Sequence, residues 1–158
     1  AWGPGIVTRT NAVDTTSVFS AIDLVPTLLD ITGTKHPQDI TFDGESLASV
    51  FTGDGQSRTA PIFFRRPPDR DSYYGVDDLP DLAMRQGKWK LLCEYDGSSP
   101  ELYDLDSDRG ETTDVAAEHP NTVAEMTKDL VSWHRSMPAD NGATYRMKPK
   151  KRERRRSK

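Results

Sequence analysis

Apolar residues recur along this chain in two rhythms, one helical and one made of short runs bounded by turn formers. Between 120 and 137, Val123, Met126, Leu130, Trp133 and Met137 fall at intervals of three and four. That spacing predicts a helix with one narrow apolar stripe, which must pack on something. Between 82 and 95 the rhythm changes. Residues 82–85 and 89–95 are runs of strand formers around Gln86, Gly87 and Lys88, a glycine-containing hairpin turn. A brief strand is expected at 62–64, and another at 101–105, where Leu102, Tyr103 and Leu105 are apolar. The sheet so formed is the surface available to the helical stripe.

The first third of the chain is less regular. Trp2 to Val7 read as a strand end or turn, broken by Gly3, Pro4 and Gly5. Residues 17–22 have the apolar density of a short buried strand or a helix entry. A helix follows, with Asp23 as its expected N-cap and Pro26 in the first turn, where a missing N–H costs nothing. Leu24, Val25, Leu28 and Leu29 share one helical face, and Gly33 suits the left-handed position after the last turn. After a polar loop at 34–42, residues 43–46 lead into a short helical turn at 47–51, closed by Thr52 and Gly53. Residues 54–59 read as linker, and 65–81 as a long charged connection holding Pro67, Pro68 and Pro80.

Only 34% of the chain is hydrophobic, so the core is modest and some apolar surface is expected to face a neighbour. The net charge of −4 divides unevenly: +7 falls on residues 148–158 and −11 on the rest. An acidic body repels polyanions while its basic tail attracts them. The tail lacks interleaved aromatic residues, which argues for a solvated, disordered segment and against specific nucleic-acid binding. A lone cysteine, Cys93, excludes an internal disulfide and a Cys-rich metal site. No apolar run reaches the ~18 residues of a membrane span, and none of these residues is expected to form a signal peptide. The opening at Ala1 reads as the interior of a domain, so a truncated chain is expected.

Candidate chemistry is sparse. Arg65, Arg66 and Arg70 could form guanidinium forks for anionic groups of a ligand, or could be solvated and paired with Asp69, Asp71, Asp77 and Asp78. Tyr73 and Tyr74 could stack on a sugar ring or cover apolar surface. His36, His119 and His134 are isolated, whereas a zinc site needs three or four convergent ligands. Asp104, Asp106 and Asp108 alternate as in a calcium loop, but Val115 stands where the bidentate acid should be.

Five weak elements, taken in order, resemble the C-terminal third of a sulfatase. They are the proline-glycine opening at 2–7, the Asp-Leu-x-Pro-Thr-Leu-Leu segment from Asp23 to Gly33, and Asp-Gly-x-Ser-Leu at 43–47. Arg-x-Gly-x-Trp-Lys at 85–90 and Glu-Leu-Tyr-Asp-Leu at 101–105 complete the set. The family's following Pro and Asn are Arg109 and Asp114 here, a turn of altered rigidity. The resemblance covers residues 1–137. It implies an α+β fold: an antiparallel sheet of about four strands, packed by a C-terminal helix and preceded by a strand-helix edge of the larger α/β sulfatase domain. That edge is expected at 1–55, the small C-terminal domain at 56–137, and the tail at 138–158.

The resemblance also implies sulfate ester hydrolysis, with a formylglycine nucleophile and calcium, in a periplasmic, secreted or lysosomal enzyme. The formylglycine motif, Cys/Ser-x-Pro/Ser-x-Arg, is absent, since Cys93 is followed by Glu94, Tyr95, Asp96 and Gly97. No catalytic or metal residue is therefore carried over. Calcium and formylglycine are expected in a missing N-terminal catalytic domain, which becomes the partner of this chain. This chain is expected to supply packing and a wall of the substrate pocket, with Arg65, Arg66 and Arg70 meeting a sulfated small molecule or glycan. The rival expectation is a non-catalytic module that holds sulfated glycans or other polyanions through Arg65, Arg66 and the tail.

Overall fold

A computed structural model of the chain describes residues 5–7, 11, 13–53, 58–66 and 79–138. Four strands form one antiparallel sheet in sequence order: β1 (Ile62–Arg65), β2 (Leu82–Gln86), β3 (Trp89–Cys93) and β4 (Glu101–Asp104). The β2–β3 hairpin turns at Gly87, whose φ of 56° is the left-handed conformation a two-residue turn demands. Its register sets Met84 opposite Leu91, and β3 in turn sets Leu91 opposite Leu102. These three side chains are fully buried on one face of the sheet.

That face is covered by α3 (Pro120–Ser136), which lies across β1, β2 and β3. Proline occupies its first position, where φ is already helical and no donor is lost. Met126 and Leu130 reach the core, with Val123 and Trp133 packed at its margin, as the spacing predicts. Trp133 stacks on Phe63 of β1, ring centroids 5.0 Å apart. Met137 leaves the stripe and is exposed, because the chain is extended there. The fold is thus α+β, an open four-stranded sheet with a C-terminal helix.

The N-terminal segment takes the helix-entry alternative and, as expected, leaves apolar surface for a neighbour; it departs in lacking a buried strand. Residues 17–22 form neither a strand nor a buried run: a 3-10 turn at Ala21–Asp23 enters α1 (Leu24–Ile31), and Phe19 and Ile22 are exposed. The face of α1 that turns inward carries Pro26 and Thr27, whereas Leu24, Val25 and Leu28 are 47%, 51% and 49% exposed. Gly33 does take the left-handed conformation, at φ 64°. A five-residue helix, α2 (Ala48–Thr52), ends at Gly53. The opening strand or turn is described only at 5–7, as turn and coil, and the tail after Pro138 lies outside the described residues.

Candidate functional site

Asp23 does not cap α1 with its side chain. The turn that precedes α1 is capped instead by Ser20, whose N–H donates to Asp23 Oδ2 at 2.8 Å. Asp23 is completely buried, and its Oδ1 accepts hydrogen bonds from the Glu45 N–H and from Arg58 Nη1. Arg58, expected to be linker, is itself buried. Its Nε donates to the Ala60 carbonyl at 2.8 Å. Glu45 adds a second layer by accepting from the N–H groups of Thr59 and Ala60 and from the Thr59 hydroxyl. This chain of bonds ties the start of α1 to residues 43–47 and to the segment that enters β1. Burial of two opposite charges is tolerable because each keeps further partners. Thr27 Oγ1 accepts from the Leu47 N–H in the same region.

The second polar cluster is the stem of the long connection after β1. Arg66 N–H donates to the Asp81 carbonyl at 2.8 Å, and its Nη2 pairs with Asp81 Oδ1 at 3.1 Å. Tyr95 donates its hydroxyl to the Arg66 carbonyl while its ring stacks on His134 of α3, centroids 4.9 Å apart. Arg66 is thus partly committed to holding the two ends of the connection together, through an aspartate that was not among its expected partners. Arg65 ends β1 and is half-buried. Arg70, Tyr73 and Tyr74 lie outside the described residues.

The remaining candidates have structural partners. His36 pairs with Asp30 at the surface, and His119 tilts against Trp89. Asp104 takes Lys88, and Asp108 accepts from the N–H groups of Thr112 and Thr113, which hold its carboxyl below the usual range. Asp114, at the family's asparagine position, accepts from the Leu102 and Ala116 N–H groups and so performs the turn expected there. Burial pushes the Cys93 thiol up to about 11, which makes it inert. Among the described residues no cluster of three or more His, Cys, Asp or Glu could hold a metal ion, so they do not fit a calcium site. Nor is any described helix long and apolar enough to cross a membrane.

Comparison with known proteins agrees with the fold. The family described as "N-sulphoglucosamine sulphohydrolase, C-terminal" matches residues 4–136. A "Sulfatase" of Formosa agariphila is 35% identical over 136 residues, which cover 80% of this chain and 23% of that protein. "Arylsulfatase K" of Mus musculus is 32% identical over 133 residues, covering 82% and 23%. Among solved structures, Ps i-CgsB in complex with k-i-k-neocarrahexaose superposes with a TM-score of 0.61 at 23% identity, over 75% of this chain and 24% of that one. The chain belongs to the sulfatase family and corresponds to its C-terminal portion. It spans about a quarter of the length of the curated relatives it matches.

Proposed function

We propose that this chain is the closing portion of an enzyme that hydrolyses sulfate esters of aryl compounds or carbohydrates, and that it contributes scaffold rather than reacting groups. The observation that carries this reading is the disparity in length. Relatives about four times as long match these residues over only 23% of their length, the matching family model is described as C-terminal, and the formylglycine motif is absent from the chain. Formylglycine and calcium then belong to the preceding, larger domain, where nucleophile and cation act together on the sulfate group.

Two tasks remain for this portion. The first is packing. Ile22, Leu24, Val25 and Leu28 form an exposed apolar surface at α1, of the kind that marks an interface, and its occupant is the larger domain. The second is lining the substrate pocket. The cluster of Arg66, Asp81 and Tyr95 adjoins Arg65 in the chain, and the guanidinium groups of Arg65 and Arg70 suit sulfate or carboxylate groups of a sugar. The rival reading, a free-standing polyanion-binding module, is weakened by the engagement of Arg66 with Asp81.

The test is enzymatic. In the full-length polypeptide, R65A and R70A should raise KM for a sulfated oligosaccharide while kcat on a small aryl sulfate is kept. Unchanged KM for both variants removes the pocket-wall role. Salt-sensitive heparin retention by the 158 residues that is lost on cutting after Met147 would favour the rival.

A further inference from the structure

We infer that the sheet face turned away from α3 is covered in the full-length polypeptide, and that the Arg85 guanidinium there pairs with a carboxylate of the larger preceding domain. The inference rests on the reading above that such a domain exists. Register places two rows of side chains on this face: Ile62, Arg85, Lys90 and Tyr103 in one, Phe64, Ala83, Leu92 and Glu101 in the other. Lys90 is paired with Glu111, and the Tyr103 hydroxyl donates to Glu101. Arg85 alone is left over. Its Nε is shielded from solvent with no hydrogen-bond partner, and it stands directly across from a second cation, Lys90. Like charges in that position destabilise a sheet unless something offsets them, and an unmet buried donor adds to the cost.

The surroundings identify the occupant. Arg85 lines a cavity of about 320 Å³ together with Phe64, Ala83, Leu92, Leu105 and the paired Lys90 and Glu111, and Phe64 is 52% exposed. A wall whose other charges, Lys90 and Glu111, satisfy each other and which leaves one cation over fits a protein surface that brings a single acid among apolar groups. A sulfated glycan would call for several exposed cations, whereas Lys90 is already engaged and Arg85 Nε is out of its reach. Relatives about four times longer supply the chain needed for such a cover.

Phenylglyoxal footprinting of the full-length protein tests this without any variant. Arg85 should react on the order of tenfold more slowly, or worse, than the exposed Arg135, because reaction requires the interface to open. As a second measurement, R85K treated with a carbodiimide should gain a cross-link from position 85 to an Asp or Glu preceding Ala1. Reaction of Arg85 at the rate of Arg135, protection that appears only on adding a sulfated oligosaccharide, or a cross-link confined to residues 1–158 would overturn the inference while leaving the proposed function intact. A gene encoding nothing ahead of Ala1 would overturn both.

Discussion

Arg58 and Asp23, thirty-five positions apart in the chain, form a buried ion pair that joins the helical N-terminal segment to the sheet. Both side chains are almost completely removed from solvent. Removing one partner strands the other charge, and breaking such a pair costs about 3–5 kcal/mol. R58M and D23N should each lower stability by that order in urea unfolding, and the double variant should lose less than the sum of the two. Additive losses would mean that the two residues act independently. K88A, by contrast, opens a solvent-screened surface pair with Asp104 and should lower the midpoint far less than R58M or D23N.

Gly44 meets the backbone more closely than a side chain permits. A Cβ there would lie 2.1 Å from the Ile22 carbonyl oxygen, so G44A must displace the turn that holds Asp23. A loss of about 1–3 kcal/mol is expected, together with weakened protection of the Glu45 amide, which donates to Asp23. G87A is the control. It meets open space and adds only the left-handed backbone strain of its turn, about 1–2 kcal/mol, with no effect at Glu45.

Cys93 should resist alkylation in the native protein. Its thiol is fully buried in the core and is pushed up to about 11, first by burial and then by nearby Glu94 and Asp96. Little thiolate therefore exists below that pH. At pH 8, iodoacetamide should modify it only after denaturant unfolds the sheet, in step with loss of structure. Rapid native-state labelling would show that β3 opens locally.

Acid should weaken the fold through its turn carboxylates. The Asp108 carboxyl is held low mainly by the Thr113 and Thr112 N–H groups, and the Asp104 carboxyl mainly by Lys88. A group depressed in the folded state stabilises it above its unfolded pKa of about 3.9 and loses that contribution as pH falls through the folded value. Stability should therefore be flat from pH 7 to about 5 and decline below about 4. D108N should show a shallower decline, and an unaltered acid limb would remove Asp108 from this role.

The sheet and α3 were legible because their signals are local: a three-four stripe, a glycine turn and alternating apolar runs each lie within one element. The orientation of α1 was legible only in part: the low apolar fraction implied surface left for a neighbour, and Leu24, Val25 and Leu28 supply it. Its amphipathic face was plain from Leu24, Val25 and Leu28, but periodicity says only that a face is apolar, not that this chain covers it. The Asp23–Arg58 pair left no trace in the sequence, since an acid before a helix reads as a cap and an arginine among small residues reads as linker. Arg85 could have been suspected, because alternation along β2 sets it on the face opposite Met84, where strand neighbours supply a second cation.

The most direct test of the account compares turnover of a chromogenic aryl sulfate, with calcium present, by residues 1–158 alone and by the full-length polypeptide. The account predicts hydrolysis by the longer protein and none by these residues. Robust turnover by the 158 residues would contradict it, since the groups that attack sulfur would then have to reside here.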